Sequence, residues 1–188
     1  MFGDAAVDAT ETTGGFTKLG IETVPPLLGR GVLLDVAGWK GQERLPKKYS
    51  IRGEDFEACA SAQGVEVMPG DVLLVRTGYG MLWNNESEYL QAAGIGKSGS
   101  LWAAERRVVA VGADNMTWDL PEERDPQSGA TLFGHYYLLP QKGIYIMENL
   151  NLEELARDRC YQFAFIGIPL KLKGATGSPL RPLALVEG

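Results

Sequence analysis

Runs of apolar residues recur along the chain at strand-like lengths, separated by polar, turn-rich stretches. Three runs, RGVLLDVA at 30–37, VLLVRT at 72–77 and VVAVG at 108–112, are almost uninterrupted. Such runs predict strands buried on both faces, because a half-exposed strand would alternate apolar with polar residues. Further strands are predicted over 143–147, 161–172 and 182–186. Between them the pattern predicts helices. One runs from Arg52 through Ala62, with Glu54 and Asp55 in its first turn and Gly64 just past its end. Another covers 98–107, with Ser98 or Ser100 as N-cap and arginines in the last turn. Shorter helical stretches are predicted over 83–93, over 131–139 up to Pro140, and over 152–157 behind Asn151. MPGD at 68–71 reads as a turn and 38–49 as a loop. Strands alternating with short helices predict an α/β fold with a mixed sheet. Residues 1–25 are rich in Gly, Thr and Asp and read as an irregular arm before one domain over 26–188.

Composition narrows the partners. Hydrophobic residues make up 45% of the chain and charged residues 22%, with a net charge of −6. No basic run offsets the acidity, which argues against nucleic acid or an anionic membrane as partner. No stretch approaches the roughly 20 apolar residues that cross a bilayer, and residues 1–8 lack the basic and apolar regions of a secretion signal. With only Cys59 and Cys160, both expected to be buried or half-buried thiols, the default is a cytoplasmic protein without disulfides.

There is a single histidine, His135. A histidine-rich metal centre cannot be built from this chain alone, nor a Ser-His-Asp triad unless His135 is its base. Taken by itself, a lone histidine reads first as a hydrogen-bonded structural residue.

Five segments in order carry a resemblance. They are RGVLLDVA at 30–37, GDVLLVRTG at 70–78, AERRVVAVGADN at 104–115, GHYYLLPQKGIYIMENLNLEELA at 134–156 and PLKLKGATGSPLRPLAL at 169–185. Together they resemble the C-terminal part of the cyclase family, the metal-dependent hydrolases that include kynurenine formamidases. The resemblance implies a swivelling β/β/α-type domain with a mixed, barrel-like sheet, assembled as a homo-oligomer. It also implies hydrolysis of amide-type C–N bonds, with an arylformamide or a cyclic amide as small-molecule substrate, and zinc or manganese as the cofactor.

The family's HxGTHxDxPxH signature, which supplies most of the metal ligands, has no counterpart before His135. The chain is therefore expected to be an N-terminally truncated member rather than one that lost the motif in place, and to be impaired as an enzyme. The resemblance assigns His135 and Glu148 as metal ligands from the second half of the site. Imidazole and carboxylate both suit those cations, but two ligands fall short of the three or four that zinc sites use. A non-catalytic binding or oligomerising module that keeps the fold is the alternative. Asp114 and Trp118, at and just after a strand end, are candidate substrate contacts, with a turn or core role as the alternative. Asp35 ends a strand in the same way, and Arg76 reads as a structural ion-pair partner. GATGSP at 174–179 lacks the Lys-Ser/Thr and the helix of a phosphate loop and reads as a turn.

Overall fold

The computed structural model describes residues 11–186. Its centre is a six-stranded sheet of β1 (Leu27–Asp35), β2 (Val72–Arg76), β3 (Ala110–Ala113), β4 (Tyr145–Met147), β5 (Gln162–Gly167) and β6 (Leu183–Leu185), in the order β6-β5-β1-β2-β3-β4. The strands β1 to β4 run parallel, and β5 and β6 add antiparallel pairs on the far side of β1. The mixed α/β fold expected from the pattern is thus present. The sheet is open, however, not barrel-like. The outer edges of β4 and β6 carry no further strand among the described residues.

The uninterrupted apolar runs have a direct cause. Successive residues of a strand point to opposite faces, and both faces here are covered. Val32, Leu34, Leu73, Val75, Val111 and Ala113 join the core beneath the helices. Leu33, Val72, Leu74 and Ala110 join a second cluster with Met147, Phe163 and Phe165. On the first face lie α1 (Gly53–Gln63) and α2 (Lys97–Glu105). They meet where the rings of Phe56 and Trp102 stand edge to face at 5.3 Å between centroids. Helix α1 opens with the Asp55 carboxylate accepting the Arg52 N–H and closes on Gly64, whose φ of 66° is the left-handed conformation that glycine adopts freely.

Several boundaries differ from the sequence expectation for physical reasons. Gly96, not a serine, precedes α2. Ser98 instead accepts the Gly53 N–H, and Ser100 is buried against the Trp118 indole, so both hydroxyls tie elements together and neither caps the helix. The predicted break at Pro140 is not a break. After α3 (Phe133–Tyr137) the backbone widens into a π turn over Leu138–Lys142, which ends on Gly143 at φ 65°. Strand β5 stops at Gly167 rather than continuing to residue 172, and Pro169 soon removes a ladder donor. The helix behind Asn151 is α4 (Glu153–Arg157), with the Asn151 side chain accepting the Glu153 N–H. Of the 1–25 arm, residues 1–10 lie outside the described residues. The rest pairs as a small hairpin and docks on the turn at 174–175 through the Phe16 and Ile21 N–H groups.

Candidate functional site

All four parallel strands end in polar residues on one edge of the sheet: Asp35 and Arg76 within β1 and β2, Asp114 just after β3 and Glu148 just after β4. The carboxyl edge of a parallel sheet is where α/β folds present their chemistry. The first three side chains serve the scaffold. Arg76 bridges Asp35 and Glu153, and Asp35 also accepts the Gly38 N–H. Asp114 is fully buried, with its carboxylate accepting from the Thr77 hydroxyl and from the Thr77 and Gly78 N–H groups. Burial pushes its carboxyl up from the ordinary carboxylate range, against the pull of those donors. Trp118 is also fully buried, its indole N–H donating to Ser100 and its ring beside Phe56. The structure therefore places Asp114 and Trp118 behind the sheet edge, in the core.

His135 and Glu148 come together. Helix α3 carries the histidine over the edge where β4 delivers Glu148, and His135 Nε2 lies 3.2 Å from Glu148 Oε1. Both side chains are about one-third exposed, at 31%, so the pair faces solvent. The other ring nitrogen, Nδ1, lies 2.7 Å from Asp119 Oδ2, and that carboxylate is 3% exposed. Asp119 also accepts the backbone N–H groups of Gly134 and His135 at the start of α3. The hydrogen bond to Asp119, followed by that to Glu148, raises the His135 pKa from the ordinary 6.5 to about 9, and burial only partly offsets them.

Beside this pair stands a second layer. The Tyr89 hydroxyl donates to Asn149 Oδ1 at 2.6 Å, and Asn149 follows Glu148 in a left-handed conformation with φ 58°. The Asn149 N–H in turn donates to the Asn115 carbonyl. Asn115 itself is buried, donating its amide to Ala93 and Trp118 carbonyls, while its Oδ1 has no partner among the described residues. Burial first, then the charges of Asp114 and Glu148, push the Tyr89 phenol up, so it acts as a neutral donor.

The donor chemistry fits part of a cation site. Two donors at about 2.1 Å from one cation stand roughly 3.0–3.4 Å apart, for bond angles near 90–109°. The observed gap between His135 and Glu148 falls in that range. A carboxylate behind the imidazole, as Asp119 is, orients metal-bound histidines generally. No group of three or more His, Cys, Asp or Glu side chains is arranged to hold a cation among the described residues. The pair alone thus offers a cation two donor atoms. Asp119, Tyr89 and Asn149 escaped sequence reasoning. The only signal for Asp119 is an acid flanked by Trp118 and Leu120, apolar neighbours that bury it.

A family model described as "Putative cyclase" matches residues 4–120. Among solved structures, a novel cyclase is 38% identical, with a TM-score of 0.80 over 95% of this chain and 60% of its own. Isatin hydrolase A from Ralstonia solanacearum is 20% identical, with a TM-score of 0.73 over 89% of this chain and 64% of its own. A "potential metal-dependent hydrolase with cyclase activity" is 21% identical, with a TM-score of 0.60 over 92% of this chain and 71% of its own. The chain therefore spans less than two thirds of the length of the first two of these structures. No curated protein matches it. The family model ends before His135 and Glu148, but the match to the novel cyclase extends over almost the whole chain. Family model and structural match agree: the chain belongs to the cyclase family.

Proposed function

We propose that the chain serves a metal-dependent hydrolase of amide-type C–N bonds, acting on an arylformamide or a cyclic amide. One observation carries the reading, the 3.2 Å pairing of His135 Nε2 with Glu148 Oε1 on a solvent-facing edge, with Asp119 locked behind the ring. The solved relatives described as an isatin hydrolase and a metal-dependent hydrolase support the same class.

His135 and Glu148 would hold a zinc or manganese ion. When bound, such a cation supplies Lewis acidity toward an acyl oxygen and makes a water acidic. The protein's own part is to hold the imidazole and carboxylate still. Asp119 fixes the ring from behind, and Tyr89, through Asn149, steadies the backbone that follows Glu148. A carboxylate or histidine near the scissile bond is also needed to carry a proton to the leaving nitrogen. The remaining ligands come from outside the described residues, and a homo-oligomer in the cytoplasm is the setting we assign.

The missing third donor favours one other reading, a non-catalytic module that keeps the fold. Equilibrium dialysis of the purified chain with zinc and with manganese separates the two, with His135→Ala and Glu148→Gln as controls. Metal retained by the chain and lost in both variants, together with hydrolysis of an N-formylarylamine or a cyclic amide, supports the hydrolase. No metal above the variants' background overturns it in favour of the module.

A further inference from the structure

Both nitrogens of the His135 ring meet a carboxylate, but the two contacts are unequal. Asp119 is closer to Nδ1, at 2.7 Å, than Glu148 is to Nε2, at 3.2 Å. Asp119 is also 3% exposed against 31% for Glu148, so water screens it far less. The Asp119 carboxylate cannot swing away. Two backbone N–H groups of α3 donate to it. Its own main chain is tied to Ile95, whose N–H bonds the Trp118 carbonyl and whose carbonyl accepts the Leu120 N–H. Gly134 makes room for it, since a Cβ there would stand 2.8 Å from Asp119 Oδ1.

We propose that Asp119 is a positioning residue that fixes the tautomer of His135, keeping the ring proton on Nδ1 and turning the Nε2 lone pair toward Glu148. A neutral imidazole has one N–H and one acceptor nitrogen, and only the bare nitrogen can bind a cation. With Asp119 in place, an imidazolium that gives up its Nε2 proton becomes a ligand directly, with no further tautomer shift and no turn of the ring. Without Asp119 the nearer remaining carboxylate is Glu148, which would draw the proton to Nε2 and block the ligand position. The inference rests on the reading of His135 and Glu148 as a ligand pair only for its consequence; the tautomer itself is a property of the metal-free chain.

His135 is the sole histidine, so its two nitrogens are identified without ambiguity in long-range 1H–15N spectra of the uniformly labelled chain. Spectra are recorded with EDTA at pH 10, where the ring is neutral. The expected result is a protonated Nδ1 and a bare Nε2, unchanged in Glu148→Gln and shifted toward a protonated Nε2 in Asp119→Ala. A wild-type ring with its proton on Nε2 overturns the proposal outright, whether or not Asp119→Ala folds, as does a folded Asp119→Ala with the wild-type pattern. A zinc titration of the same proteins distinguishes the two ideas. If the chain binds zinc, Asp119→Ala weakens it about 10- to 100-fold. If the chain binds none but Nδ1 carries the proton, the hydrolase reading fails and the positioning role of Asp119 stands.

Discussion

His135 Nε2 and Glu148 Oε1 stand 3.2 Å apart across the carboxyl edge of the sheet, joined by neither sequence proximity nor a shared element. In metal-free protein this pair, with Asp119 behind it, is an ionic contact. The fold raises the His135 pKa from 6.5 to about 9, which means that folding favours the imidazolium. A raised pKa contributes stability that is complete below about pH 6.5 and is lost as pH rises through about 9. With EDTA present, the wild type should be more stable than His135→Gln at pH 6, by at most about 3 kcal/mol before solvent screening. The two should converge by pH 10. Thermal unfolding over that pH series checks it, and a constant difference would show that the contact is not ionic.

Gly134 is the narrowest point of this arrangement. A Cβ added there would lie 2.5 Å from Trp118 Cδ1 and 2.8 Å from Asp119 Oδ1, so both contacts must open. Trp118 is held in the core, so α3 is pushed away from both, which carries His135 off Asp119. Gly134→Ala should cost about 1–3 kcal/mol of stability, as overpacking does. It should also lower the His135 pKa toward its ordinary 6.5, since the Asp119 bond is the largest cause of the shift. Calorimetry and an NMR titration of the one histidine measure both.

The sheet was legible in the sequence because burial on both faces leaves a plain mark. Val32, Leu33 and Leu34 are all fully buried, and a run without polar interruptions says so directly. Helix α1 was legible from its ends, the acids of its first turn and Gly64 after its last. His135 and Glu148 were reached only through the resemblance, since nothing in their spacing fixes a contact made by an irregular helix and a short strand. Asp119 was illegible. Its role comes from the bridge to Ile95 and from the position of α3, both non-local. Asp114 and Trp118 follow a strand end, the place where site residues are expected, but their burial and their bonds to Thr77 and Ser100 depend on non-local packing that the sequence does not display.

The two thiols should differ sharply. Burial, then the nearby charge of Asp35, pushes the Cys59 thiol up to about 12. Its thiolate is therefore about a ten-thousandth of the total at pH 8, and the thiolate is the nucleophile. Cys160 is only half-buried. Titration with a disulfide reagent at pH 8 should give one accessible thiol in the folded chain and the second only after denaturation. Cys160→Ser should abolish the fast phase, and a fast phase surviving in that variant would contradict the burial of Cys59.

Lys97 pins the 121–131 loop beside α3. Its ammonium lies 2.6 Å from Asp125 and 4.9 Å from the centre of the Phe133 ring. That contact, with the Ser128 hydroxyl and N–H, holds the Asp125 carboxyl well below the usual carboxylate range. A lowered pKa gives stability that is present above the ordinary carboxylate value and is lost on stronger acidification. Lys97→Met should free the loop at neutral pH. Tryptic cleavage after Arg124, which lies in the loop, should then speed up on the order of fivefold. Mass mapping of the first cut tests it, and an unchanged rate would place the restraint elsewhere.

Among the described residues, nothing covers one face of the antiparallel half of the sheet. In register, Leu28, Ile166 and Leu183 form one cross-strand row and Arg30, Ala164 and Leu185 the next, all on the same side. Leu28, Leu183 and Leu185 are 68%, 46% and 56% exposed. Further along the same strand, Val32 and Leu34 are buried beneath the helices, which do not extend over these rows. An open apolar row next to an unpaired edge strand favours self-association, and it is where the homo-oligomer proposed above can be tested. Leu28→Lys combined with Leu183→Lys should shift sedimentation velocity toward the monomer. Each change lies on the surface, so thermal stability of the monomer should move by no more than about 0.5 kcal/mol per site. The charges would act on association alone, because lysine at an exposed row costs the folded chain little but must lose its water against a second apolar face. A wild-type chain that sediments as a monomer at all concentrations would remove the oligomer from the assignment.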